Sequence, residues 1–256
     1  RGLGDVYKRQ LYFFIWRDVK VRYKQTIIGA AWAIIQPFMT MVVFSLFFGK
    51  LAKIPSNGLP YPIFYYSALL PWTYFANSIQ NATNTIVAHQ NMIKKVYFPR
   101  LILPLSAVLS GLVDFAIAFS ILLGMMLYYG IVPTWKLLLL PLLLGLATLT
   151  ALGVGLWLSA LNALYRDVRY ATPFLIQLWL FASPVAYPAS MVPEKWQWVY
   201  WLNPMTGVIE GFRWVLTGQG QPLNNLFFVS VFFVLIVLVL GLMFFHKMEG
   251  TIADLV

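Results

Sequence analysis

Uncharged, apolar stretches divide the chain. They run from Gln25 to Gly49, Ile54 to Ile93, Phe115 to Trp135, Leu137 to Tyr165, Tyr170 to Pro193 and Trp214 to His246. Each is at least as long as the roughly 20 residues a helix needs to cross about 30 Å of hydrocarbon. The pattern predicts an all-α integral membrane fold with six transmembrane helices, at about residues 28–49, 62–83, 101–128, 137–161, 171–188 and 225–245.

The flanking segments read differently. From Leu11 to Gln25, Tyr12, Ile15, Trp16, Val19 and Tyr23 follow helical spacing, while Arg17, Lys20 and Lys24 form a basic stripe beside them. Asp18 and Arg22 stand at i,i+4, where they can pair. This segment, residues 11–25, is too charged to insert and too apolar to be fully solvated, which predicts an amphipathic helix lying in the membrane interface. Residues 1–10 do not continue the pattern and read as a non-native leader. Residues 249–256 form a short tail, and the aromatic, proline-rich stretch from Ser183 to Pro222 is the longest segment between spans. Within it, residues 203–216 are helical in pattern, with Glu210 and Arg213 at i,i+3. They predict a re-entrant or surface helix that covers the external mouth.

Composition strengthens the membrane reading. Only 10% of the 256 residues are charged and 61% are hydrophobic, against about 25% and 45–50% in soluble domains. The net charge of +10 would suggest nucleic acid in a soluble protein, but the basic residues here sit between the apolar runs, so no nucleic acid is expected. With six spans, thirteen of the 18 Lys and Arg fall on the side that holds both termini. Basic loops stay inside, which makes both termini cytoplasmic.

Three polar features carry candidate chemistry. Asn77, Asn81 and Asn84 recur at i, i+4 and i+7 on the second span. A polar face there turns toward a water-filled path or toward hydrogen bonds with another helix. Asp114 is the one acid inside a span, and its preferred reading is a hydrogen-bonded group packed against a neighbouring helix, with a proton carrier as the other. The stretch from His89 to Arg100 interleaves Lys94, Lys95 and Arg100 with Met92, Ile93, Val96, Tyr97 and Phe98. The cations can snorkel to lipid phosphates, or a short helix with exposed apolar side chains can dock a partner protein.

Catalytic signatures are sparse. Cysteine is absent, and His89 and His246 stand apart, so a clustered metal site has no donor set. The Gly49-Lys50 dipeptide is followed by Leu51 and is no phosphate-binding loop.

Five stretches taken together resemble a known family. They are Arg17 through Pro37, Ile93-Lys-Lys-Val-Tyr-Phe-Pro-Arg100, Asn162 through Arg169, Ser183-Pro-Val-Ala-Tyr-Pro188, and Asn203-Pro-Met-Thr-Gly-Val-Ile-Glu-Gly-Phe-Arg213. In order and spacing, over residues 11–256, they are similar to the membrane subunits of polysaccharide-exporting ABC transporters, the ABC-2 type family that includes O-antigen and teichoic acid exporters. The resemblance implies a homodimer around a channel in the bacterial cytoplasmic membrane, with two copies of a separate ATPase. It also implies that ATP and Mg are bound by that ATPase, and that no cofactor is bound by this chain.

The resemblance further assigns Met92 to Phe98 and Arg100 to a coupling segment that seats in the ATPase, with Arg166 and Asp167 as a second contact. The implied cargo is a lipid-linked glycan on an undecaprenyl diphosphate anchor, with Arg17, Lys20 and Lys24 attracting the diphosphate. Asn77, Asn81 and Asn84 become a candidate channel face. Short gate helices before the last span would present Trp196, Trp198, Trp201, Glu210 and Arg213 at the exit. The alternatives are an ABC-2 permease for a drug or lipid, and an ion-coupled transporter that uses Asp114.

Overall fold

Among the described residues, 3–24, 29, 31–95, 98–219 and 225–255, the computed structural model is helical and contains no strand. Helix α1 (Leu3–Lys24) precedes α2 (Ala31–Phe44), which continues as a π-helical turn, Ser45–Leu51. Then follow α3 (Tyr61–Ala88), the short α4 (Gln90–Lys95), α5 (Ile102–Tyr128) and α6 (Leu140–Leu164), the last entered through the 3₁₀ turn Trp135–Leu139. The remaining helices are α7 (Val168–Phe181), α8 (Glu194–Tyr200), α9 (Pro204–Thr217) and α10 (Asn225–Leu255).

Helix α3 is the centre of the bundle. Pro62 lies in its first turn, where a missing N–H breaks no helical bond. Every side chain from Ile63 to Trp72 is buried, and a helix that is apolar on all sides needs neighbours all round. Helices α5, α6 and α9 supply them. Small residues set the closest crossings. A side chain at Gly155 would reach within 2.8 Å of the Ala82 Cβ on α3. Gly153 faces the backbone of Val237 and Leu238, and Gly241 faces Gly153, so α6 and α10 meet backbone to backbone. On its far side α10 leaves Phe228, Phe232, Leu235 and Val239 exposed, an apolar stripe suited to lipid.

Four segments are long and apolar enough to cross a membrane: Ala31–Leu51, Ile102–Tyr128, Trp135–Leu164 and Asn225–Thr251. They correspond to the first, third, fourth and sixth expected spans. The second expected span is the 28-residue α3, about 42 Å long at 1.5 Å per residue, in which amides interrupt the apolar pattern. The fifth, expected over 171–188, is α7, whose bounds differ: it starts at Val168, has 14 residues, about 21 Å, and the chain turns after Phe181. Asn203 explains the stop: its side-chain oxygen accepts from Trp179 Nε1 at 2.8 Å, and its amide donates to Ser183 Oγ at 2.9 Å and to the Ala182 carbonyl. The same oxygen caps Met205 N–H at the start of α9, with Pro204 in the first turn.

Two boundaries also move. The helix expected over 11–25 is already formed at Leu3, so residues 3–10 of the expected leader belong to α1. The expected tail at 249–256 is helical as far as Leu255, as the end of α10.

Candidate functional site

Helix α1 docks on α5 through polar groups. One Arg22 guanidinium nitrogen donates to Asp114 Oδ2 and the other to Ser110 Oγ at 3.2 Å. The Tyr23 hydroxyl donates to Asp114 Oδ1. Burial, then that hydrogen bond, raises the Tyr23 hydroxyl above its ordinary pKa and keeps it a donor. Asp114 is therefore hydrogen-bonded against a neighbouring helix, and the helix in question is α1. One turn earlier Asp18 accepts from Arg17 at 2.7 Å and from Ser106 Oγ at 3.2 Å.

Arg17 also ties α1 to the end of α3. Its guanidinium meets His89 Nε2 at 2.9 Å, and His89 Nδ1 lies 2.8 Å from the Thr85 carbonyl oxygen. A guanidinium only donates, so Nε2 accepts and Nδ1 carries the proton given to Thr85. Of the three cations assigned to diphosphate attraction, Arg17 is thus engaged and half-buried, whereas Lys20 and Lys24 are exposed. Lys20 Nζ lies 5.4 Å from the Trp16 ring centre.

The amide face of α3 opens onto two cavities. The first, about 260 Å³, is walled by Arg22, Tyr23 and Asp114 on one side and by Trp32, Gln36, Thr73, Asn77 and Asn81 on the other. The second, about 380 Å³, lies beside Arg17, Asp18 and His89 and is lined by Asn81 and Asn84. The three asparagines thus face cavities rather than the core.

The coupling segment differs from its expected form. Lys94 and Lys95 are exposed at the end of α4, but Met92 and Ile93 are half-buried and Phe98 is 7% exposed. These apolar side chains pack on a cluster that holds Phe14 of α1 and Phe245 of α10, with the Phe14 and Phe98 rings 5.6 Å apart. Phe98 is therefore packed against α1 rather than exposed as expected, while Met92 and Ile93 keep part of their surface. Val96 and Tyr97 lie outside the described residues. Arg100 donates to the Glu249 carbonyl of α10. Arg166 and Asp167 are exposed in the turn before α7, and the Asn162 amide just before them donates to the Thr83 carbonyl of α3 at 2.9 Å.

The residues assigned to an external gate divide. Trp196 and Trp198 on α8 are more than half exposed, while Trp201, Glu210 and Arg213 are inside the protein. Arg213 pairs with Glu210 at 3.1 Å and stacks on the Phe64 ring at 3.8 Å. It also donates to the carbonyls of Pro184 and Val185, and the Ala189 N–H donates to Glu210 at 3.1 Å. The i,i+3 spacing announced the pair. It did not announce that the pair clamps the segment after α7 onto α9 and α3. Beside it, burial and a hydrogen bond to Tyr187 raise the pKa of Tyr200.

The comparisons with known proteins cover most of the chain. The chain is 28% identical to the O-antigen export system permease protein RfbA of Klebsiella pneumoniae, over 93% of this chain and 92% of that protein. It is 29% identical to the protein of the same name from Myxococcus xanthus, over 88% of each. With the polysialic acid transport protein KpsM of Escherichia coli it shares 23% identity over 91% of each chain. The sequence profile of ABC-2 type transporters matches residues 9–217, from α1 through its latch on α5 to the clamp on α9, and the chain belongs to the ABC-2 type transporter family.

Proposed function

We propose that this chain is the permease subunit of an ATP-driven exporter that moves lipid-linked polysaccharide, of the O-antigen, capsule or teichoic acid type, across the bacterial cytoplasmic membrane. The observation that carries the reading is the match to O-antigen export permeases over about nine-tenths of the chain, beside a family match that begins within α1, at residue 9. In this reading the chain is multi-pass, with six crossings, α1 at the cytoplasmic interface and both termini cytoplasmic. Two copies enclose the channel and two copies of a separate ATPase bind ATP and Mg.

The chain's own residues then have distinct tasks. Exposed Lys94, Lys95, Arg166 and Asp167 meet the ATPase, while Met92, Ile93 and Phe98 tie that contact to α1 and α10. Movement of the ATPase reaches α1 by this packing and by the Arg17–His89 contact. Lys20 and Lys24, with Arg17 behind them, attract the diphosphate of the cargo. Asn77, Asn81 and Asn84 present hydrogen-bonding groups to the passing glycan. Beyond them, the Glu210–Arg213 clamp fixes the frame on which Trp196 and Trp198 stand at the exit.

Deletion of the gene tests the reading. Surface polysaccharide is expected to disappear while lipid-linked glycan accumulates on the cytoplasmic side, and a plasmid copy of the gene is expected to restore export. Unchanged surface polysaccharide in the deletion strain would refute the cargo and leave the family.

A further inference from the structure

The cavity between α2, α3 and α5 has an unusual wall for a membrane helix bundle. Its charged groups, Arg22 and Asp114, neutralise each other. Among the described lining residues the rest are uncharged: apolar side chains such as Leu70 and Phe115, and four polar, non-aromatic ones, the Gln36 amide from α2, the Thr73 hydroxyl and the Asn77 and Asn81 amides from α3. No side-chain hydrogen bond joins any of these four to another described residue. Trp32 lies at the same wall and is 52% exposed.

Amides and hydroxyls both donate and accept, and polar groups inside a membrane are held where they have work to do. An ammonium or phosphate would need a net charge on this wall, which the ion pair removes. A hydrocarbon chain would strand four polar groups. A sugar ring satisfies both conditions, since its hydroxyls match the amides and its C–H face covers an indole. The volume of about 260 Å³ is below the roughly 300–1,000 Å³ of pockets for drug-sized ligands, and so suits one ring rather than a chain of them.

We propose that this cavity is a monosaccharide subsite, with Trp32 as its stacking face and Gln36, Asn77 and Asn81 as its hydrogen-bonding groups. The assignment rests on the polysaccharide-export reading and adds to it a named place for one sugar. Lys20 and Lys24 lie within a turn of Arg22, the residue that borders the cavity. The sugar that enters first is therefore the one next to the diphosphate, and the subsite reads the base of the glycan rather than its repeats.

The test uses the complex of this chain with its ATPase in lipid nanodiscs, and as probe the lipid-linked glycan extracted from the deletion strain. A benzophenone amino acid is placed at position 32, and for comparison at position 43, where Val43 is exposed on α2 outside the cavity. Ultraviolet irradiation is expected to attach glycan at position 32 and not at position 43. The Asn77→Leu, Asn81→Leu double variant is expected to raise the glycan concentration that half-stimulates ATPase by about tenfold, as two lost hydrogen bonds imply. If that variant fails to assemble with the ATPase, Gln36→Leu on the exposed side of α2 gives the same readout, with an expected shift of about threefold. Absence of label at position 32, or unshifted stimulation in an assembled variant, would overturn the subsite while export still depends on the gene. Surface polysaccharide that survives gene deletion overturns the export reading instead.

Discussion

Arg22 in the last turn of α1 holds Asp114 in the middle of α5, across 92 positions of sequence. The contact makes α1 part of the bundle rather than a loose membrane anchor. Both side chains keep about a quarter of their surface exposed, so water and the cavity reach the pair.

Loss of one partner should therefore cost more than loss of both. Asp114→Ala leaves Arg22 charged beside Ser110 and Tyr23, whereas Arg22→Met together with Asp114→Leu leaves no charge behind. Fully buried pairs lose about 3–5 kcal/mol when broken on one side. With this exposure the single change is expected to cost about 1–2 kcal/mol, and the double change less. Thermal unfolding of the detergent-solubilised protein checks the order. A double variant less stable than Asp114→Ala would remove the ion pair as the reason α1 docks.

The clamp at the opposite end is deeper. Arg213 and Glu210 are 1–2% exposed, and the guanidinium serves Glu210, two carbonyls of the 184–185 segment and the Phe64 ring. Arg213→Lys keeps the charge but loses the planar fork and the stack. Its expected cost is about 2–3 kcal/mol, and Arg213→Ala, which leaves Glu210 charged and buried, about 3–5 kcal/mol. Protease cleavage between residues 182 and 193 should rise in the same order, because this segment is what the guanidinium holds. Equal cleavage in both variants and the parent would contradict the clamp.

How much of this was legible in the sequence depends on the range of the interaction. Spans at 101–128 and 137–161 were readable because apolar length is a local property, and α5 and α6 fall within a few residues of them. That Asn77, Asn81 and Asn84 share one face was readable from the helical repeat, and these residues line two cavities. The end of α7 at Phe181 was not, since it depends on Asn203 reaching back 20 residues to Ser183. The burial of Phe98 was not legible for the same reason: its apolar partner, Phe14, lies on a different helix. Arg22 and Asp114 were each visible, but nothing in the spacing of two residues so far apart joins them.

On α1 the sequence grouped three cations that the structure separates. Arg17 is engaged by Asp18, His89 and the Phe14 ring, and Lys20 and Lys24 are exposed. Lys20→Gln with Lys24→Gln should leave the fold intact and lower export, because each exposed cation near an anionic surface contributes about 1 kcal/mol of attraction. A loss of about thirtyfold in glycan-stimulated ATPase affinity is expected, shrinking at high salt as screening sets in. Arg17→Gln should instead lower thermal stability. If the lysine pair left both export and stimulation intact, the diphosphate role would fail.

The coupling segment gives the sharpest separation between binding and folding. Lys94 and Lys95 project outward, while Phe98 is packed under α1 and carries no exposed surface that a partner needs. Reversal of both charges, Lys94→Glu with Lys95→Glu, is expected to weaken capture of the ATPase by about tenfold or more, since rim charges set register and repel when reversed. The isolated permease should melt at its usual temperature, because neither lysine has a packed side chain to lose. Phe98→Ala is expected to do the reverse. It removes a buried ring worth about 3–5 kcal/mol in a core, discounted here because the cluster lies at the edge of the bundle, and so lowers the melting temperature before it affects capture. Pull-down of the ATPase by the tagged permease, set beside melting curves of the permease alone, resolves the two effects. Normal capture by the charge-reversed chain would move the docking surface away from α4, to the turn that holds Arg166 and Asp167.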